Sequence, residues 1–228
     1  MDMSYDTVAF LFSCLLILVY YFYLGWRTRR NPESSIHAQN AKIRESWVAM
    51  IMSSGNKMDI LAIQTLRNSV IAANFMASTA MLLVIGTANI SEKIGQWAQK
   101  WHPFLFNVPS TGLIWEIKLV SLLLNFAMAF FFFSMAIRYF NHVGYMINLP
   151  DDNQIDRTLY RQTCAYFNNA GKYYMFGTRA FFFSVPIIMW FFGPYSLVLA
   201  TVGLICGLAM IDRTPTWNKQ KSANRFNY

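Results

Sequence analysis

Charge is scarce in this chain: 13% of its 228 residues are Asp, Glu, Lys or Arg, against about a quarter in soluble domains. Several long stretches carry none, which excludes an ordinary water-soluble globule and points to a polytopic membrane protein. Cysteine is scarce too. Cys14, Cys164 and Cys206 form no CxxC pair, so neither a disulfide framework nor a zinc site is indicated. Of three histidines, His37 and His102 lie outside the apolar spans and only His142 is near a span end, which leaves a haem without facing axial ligands. The 13 methionines lack metal-box spacing and read as packing residues. No metal or cofactor is expected. Paired carboxylates, a nucleophile elbow, a phosphate loop and HExxH are all missing, so the chain does not read as an enzyme. Its net charge of +8 comes without a basic tract interleaved with a nucleic-acid-reading motif. Basic residues beside apolar spans are topology signals and anchors for anionic lipid headgroups; nucleic acid is not an expected partner. The amino terminus, MDMSYD, lacks the positive region of a cleavable signal, so the first span should persist.

What is present is organised around residues 59–90, DILAIQTLRNSVIAANFMASTAMLLVIGTANI. As about 31 helical residues it extends roughly 46 Å, longer than the ~30 Å hydrocarbon core. Gln64, Arg67, Asn68, Asn74 and Ser78 recur at spacings of three, four and more that align them on one helical face. Lipid offers such a face no hydrogen-bond partners, so it should turn towards neighbouring helices.

The remaining spans follow from apolar length. The first covers residues 7–25 and ends in an aromatic belt and Arg27, Arg29 and Arg30, which puts that end in the cytoplasm and the amino terminus outside. The second membrane segment covers 66–90, the third 116–138 and the fourth 179–211. Asn31-Pro32 breaks the chain after the first span, and the Trp- and Pro-containing loop 91–115 reads as external. Two amphipathic helices should lie on the cytoplasmic surface, at 35–54 (apolar through Ile43, Trp47, Met50 and Ile51) and 153–170 (through Ile155, Leu159, Tyr166 and Phe167), with Gly171 ending or bending the second. Pro186 and Gly193-Pro194 interrupt the last apolar region. The favoured course is one long broken span. The alternative is a hairpin turning at Gly193-Pro194, with arms of about 13 to 18 residues, short for a full crossing. The fold class is therefore all-α: one domain, a four-span bundle with two surface helices.

Three blocks also carry a resemblance. LAIQTLRNSVIAANFMAST, SMAIRYFNHVGYMINLP and GTRAFFFSVPIIMWFFGP, with the closing Ile211-Asp212, resemble the four-span membrane proteins of bacteria and plants grouped as domain of unknown function 599. The resemblance implies four transmembrane helices with an outside amino terminus, and it implies no activity. The sequence departs from the family pattern at Ile71-Ala72-Ala73-Asn74, where the pattern is smaller and richer in Ser and Thr.

Two constellations could carry function. Gln64, Arg67 and Asn68 with Arg138, Asn141, His142 and Arg179 lie at the cytoplasmic ends of the spans, where three arginines could hold an anionic headgroup or a phosphorylated ligand, or simply anchor the bundle. Asn74 and Ser78 should face Ser121 and Asn125 across the interior, as glue or as a permeation seam. No carboxylate is expected at mid-membrane, which argues against ion-coupled transport. The expectation is an accessory or scaffold subunit of the bacterial inner membrane that packs against other subunits or itself. The alternative is a small channel, lipid-handling protein or transporter.

Overall fold

The structure, a computed structural model, describes residues 2–30, 36–54, 58–91, 112–149 and 157–212. Among these, six helices and no strand are found: α1 (Asp2–Arg30), α2 (Ile36–Ser53), α3 (Asp59–Ser91), α4 (Gly112–Ile147), α5 (Arg157–Trp190) and α6 (Pro194–Ile211). Four are long and apolar enough to cross a membrane, over Tyr5–Arg30, Ile60–Ile90, Ile114–Ile147 and Pro194–Ile211. The all-α polytopic bundle expected from hydropathy is thus present, with four candidate spans. The expected break at Asn31-Pro32, most of the loop 91–115, Ile155, and the segment after Asp212 lie outside the described residues.

The last apolar region takes a different course from the one favoured above. Residues 179–211 are not one broken span. The break falls at 191–193 alone, where three successive amides bond carbonyls three residues back and tighten the end of α5. Gly193 then adopts φ +131°, a backbone shape closed to most side chains, and Pro194 starts α6 with its fixed φ and no amide to satisfy. The chain folds back on itself as a hairpin, and α6 packs between α5 and α1. Its 18 residues extend only about 27 Å, close to the hydrocarbon thickness. Pro186 does not interrupt: α5 continues through it.

The second surface helix is also absent as a separate element. Residues 157–170 are the first turns of α5, which passes Gly171 without ending and runs 34 residues in all. Gly171 is needed for close approach instead. A Cβ there would stand 2.8 Å from Nη1 of Arg44, which α2 lays across it. Phe167, expected to point towards the membrane, is buried against Trp47 and Phe140.

With 33, 36 and 34 residues, α3, α4 and α5 each extend roughly 50 Å, some 20 Å beyond a hydrocarbon core. The surplus turns gather at the end of the bundle marked by Arg27, Arg29 and Arg30, hereafter the basic end. There they receive α2, whose Val48 and Ile51 are buried among Ala62, Leu66, Phe140, Val143 and Phe167. Ile43 and Met50 of the expected surface-binding face remain exposed.

Within the bundle, close approach decides which faces meet. The face of α3 that packs on α4 is the row Ala62, Leu66, Ala73, Ala77 and Ala80, all buried, opposite Ala129, Phe133 and Ala136. Small side chains let helix backbones approach and gain dispersion contacts, the main attraction left where lipid is as apolar as the protein interior. Phe133, fully buried, presses its ring onto Gly177 of α5 and is held by Tyr174 and Phe181. A Cβ on Gly177 would meet that ring at 2.8 Å. Gly177→Ala should therefore lower stability by about 1–3 kcal/mol through overpacking, read as detergent-solubilised thermal or SDS unfolding. A neutral result would mean that α4 and α5 slide apart freely.

Candidate functional site

Charged side chains inside an apolar bundle must find each other, because lipid cannot solvate them and backbone carries no counter-charge. The described residues solve this with two buried charge pairs. Near the far end, Lys118 of α4 lies with Nζ 3.5 Å from Oδ1 of Asp6 of α1, both side chains 3% exposed. Trp190, at the tip of α5, donates from Nε1 to the same Oδ1 at 2.9 Å. Phe10 stacks on the Trp190 ring, and the Lys118 ammonium lies 5.2 Å from its centroid. Asp6 Oδ2 is buried without a hydrogen-bond partner among the described residues.

The second pair closes the α5–α6 hairpin. Arg179 donates from Nη2 to both carboxylate oxygens of Asp212, at 2.7 and 2.9 Å. Tyr20 of α1 donates its hydroxyl to Oδ2 of the same carboxylate at 2.7 Å. The guanidinium also lies 5.5 Å from the Tyr21 ring. Tyr20 is 14 residues after Asp6 on α1, roughly 21 Å along the axis, and about 10 Å short of Arg27. The pair thus sits within the hydrophobic length of α1. No carboxylate was expected at mid-membrane, and Asp212 follows the last apolar run in sequence; the hairpin is what returns it to the bundle interior.

A third polar group ties α2 to α5 at the basic end. Arg44 donates from Nε to Oδ1 of Asn168 at 2.9 Å, and Asn168 donates from Nδ2 to Oε1 of Glu45 at 3.1 Å. Burial pulls the Arg44 pKa below the usual guanidinium value and the neighbouring Glu45 carboxylate pulls it back up. Below this group a cavity of about 900 Å³ runs between α2, α3, α5 and the end of α6, lined by Arg44, Lys172, Arg179 and Asp212 among polar and apolar side chains. A second cavity of about 730 Å³ lies between α5, α4 and Tyr21 of α1 and shares Lys172 and Arg179.

Against this geometry the residues singled out from sequence disperse. Of the seven at the span ends, only Arg179 is buried, and its partner is Asp212. Asn68 lines the same cavity as Arg179. Gln64, Arg67, Arg138, Asn141 and His142 are exposed on their helices, and the three arginines do not share a pocket. The interior seam is not formed either. Asn74 and Ser78 are exposed, on the side of α3 away from α4, because the alanine row took the packed face. Ser121 bonds within its own helix to the carbonyl of Ile117. Asn125 faces α5, where its amide donates to the Ala180 carbonyl at 2.9 Å.

The groups that sequence reasoning missed are Asp6, Tyr20, Arg44, Lys118, Lys172 and Asp212. A usable signal existed for the charged ones of the bundle. Asp6, Lys118 and Asp212 sit at the edges of apolar runs, where a single unpaired charge asks for an opposite one on another helix. Among the described residues no three His, Cys, Asp or Glu side chains gather as a metal site, and the three cysteines are free.

Comparison with known proteins adds a family and nothing further. No curated protein and no solved structure matches the chain. The family model described as "Protein of unknown function, DUF599" matches residues 8–216, from the first turns of α1 to beyond Asp212. The buried pairs of α1, α4, α5 and α6 described above are therefore features of a protein that belongs to the DUF599 family.

Proposed function

We propose that the protein is a non-catalytic membrane scaffold that self-associates through the open face of α3. The observation that carries this reading is the exposure of Asn74 and Ser78 near the centre of the apolar stretch Ile60–Ile90, with no hydrogen bond to either side chain among the described residues. α3 packs on α4 along one side; Phe75, 71% exposed, and Leu82, 69% exposed, flank the two polar residues on the other. An amide facing acyl chains forgoes its hydrogen bonds, and a second helix restores them. The occupant this face fits is a second copy. Two copies inserted in the same sense are related by a two-fold axis along the membrane normal, which sets Asn74 opposite Asn74 at equal depth. An amide both donates and accepts, so the contact is self-complementary. Insertion in a bacterial inner membrane with the amino terminus outside and the basic end in the cytoplasm belongs to the same reading, supported by Arg27, Arg29 and Arg30 at one end of α1.

Native mass measurement in a gentle detergent tests it. The expected species is twice the 26.4 kDa chain. Asn74→Leu should raise the dimer dissociation constant by about 3- to 30-fold, the equivalent of ~0.6–2 kcal/mol for lost interhelical hydrogen bonding. A monomer at all accessible concentrations, or a dimer indifferent to Asn74, rules the α3 interface out.

A further inference from the structure

We propose that the cavity between α2, α3, α5 and the end of α6 binds an amphiphile with an anionic phosphate or carboxylate head, the head held by Arg44 and Lys172. The two cations not paired with Asp212 stand at one end of the lining. At the basic end stand Arg44, from α2, and Lys172, from α5. Further along are Met175, Phe182, Leu208 and Ile211, a wall suited to an acyl chain. From Gly171, beneath Arg44, to Phe182 is eleven residues of α5, roughly 16 Å. A volume of about 900 Å³ lies at the upper end of small-ligand sites.

The charge balance favours an anion. Four charged side chains line the cavity: Arg44, Lys172, Arg179 and Asp212. Arg179 and Asp212 neutralise each other at 2.7 Å and form part of the wall. Arg44 and Lys172 remain in the lining, with Glu45 outside it and linked to Arg44 through Asn168. Arg44 is half-buried and its position is set twice over. Asn168 Oδ1 accepts a hydrogen bond from its Nε, and the missing side chain of Gly171 leaves room for the guanidinium against α5. A guanidinium so placed is oriented before any ligand arrives, which is how a fork of donors selects phosphate or carboxylate. Lys172, exposed at the mouth, adds a mobile point charge. Head and chain have to arrive together: the cations alone would serve a free phosphate, and the apolar wall alone would serve any detergent.

The test is native mass spectrometry of the full chain titrated with three probes: lysophosphatidate, lysophosphatidylcholine and inorganic phosphate. Lysophosphatidate should bind once per chain, about 10-fold or more tighter than lysophosphatidylcholine, as charge-assisted recognition of the head requires. Inorganic phosphate should neither bind at comparable concentration nor displace it. Lys172→Gln, at an exposed position, should weaken lysophosphatidate several-fold without affecting helicity. Gly171→Ala should do the same by pushing the Arg44 guanidinium aside, since the clash is with the free end of a flexible side chain. Equal binding of the two lipids, or binding indifferent to both variants, would mean adsorption to the apolar belt and overturn the proposal. Phosphate binding as tightly as lysophosphatidate would overturn it in favour of a free-anion site. Asn74→Leu should leave lipid binding intact, and Lys172→Gln should leave the oligomer intact, so this site and the α3 interface stand or fall separately.

Discussion

Asp212→Ala should destabilise the protein by about 3–5 kcal/mol, the largest single-residue effect expected in the bundle. The carboxylate is the acceptor for three buried hydrogen bonds, two from Arg179 Nη2 and one from the Tyr20 hydroxyl. Removing it takes away the counter-charge that lies 2.7 Å from a guanidinium only 7% exposed, in surroundings that solvate it poorly. The ion pair itself need not be strongly stabilising, because forming it required both ions to leave water. The penalty comes from breaking it one-sidedly. Arg179→Met with Asp212→Leu should therefore recover most of the loss, and Tyr20→Phe alone should cost about 1.5–3 kcal/mol as the loss of one hydrogen bond to a charged group. Unfolding in mixed detergent, followed by helicity and by tryptophan fluorescence, reads all three. If Asp212→Ala unfolds within about 0.5 kcal/mol of the parent, water reaches the pair and α6 is held by apolar contact alone.

Lys118→Met is expected to have the next largest effect, about 3 kcal/mol, through the same one-sided logic at the far end. Asp6 would keep the Trp190 donor and lose its cation, with Oδ2 already lacking a partner among the described residues. The expected loss is smaller than at Asp212 because one charged atom pair at 3.5 Å is removed in place of three short bonds. Asp6→Asn combined with Lys118→Met should return stability to within about 1 kcal/mol of the parent, since an amide can still accept from the indole without a buried charge. A double variant no better than Lys118→Met would show that the ammonium acts by packing over Trp190 and Trp115, whose rings lie 5.2 and 6.0 Å away, and not as a counter-ion. The two pairs divide the labour: one fixes the start of α1 to α4 and the tip of α5, the other fixes the end of α6 to α5 and α1.

The contrast between the two halves of α3 shows where sequence reasoning stopped. Its length and its apolar second half were legible, and the helix Asp59–Ser91 matches the expected 59–90 within a residue. Its packed face was not. Gln64, Arg67, Asn68, Asn74 and Ser78 marked a polar stripe, and a polar stripe in lipid was assigned to the interior. The rival stripe on the same helix, Ala62, Ala73, Ala77 and Ala80, allowed a closer backbone approach to α4 and won. Hydrogen-bonding capacity decides whether a face needs a partner; side-chain size decides which face gets one first.

By itself, the sequence determined that the chain is helical, that it is built for a membrane, where its apolar stretches lie, and that the chain breaks at Gly193-Pro194. These are local properties, set by hydropathy summed over a span and by the backbone limits of glycine and proline. Only the tertiary structure decided that α5 and α6 fold back on each other, that the first turns of α5 are buried under α2, and that Arg179 meets Asp212 while Asp6 meets Lys118. Such pairings join residues as far apart as the 192 positions between Tyr20 and Asp212. No local pattern encodes them, because what selects each partner is the free energy of the alternative: a charge left alone in a medium that cannot solvate it.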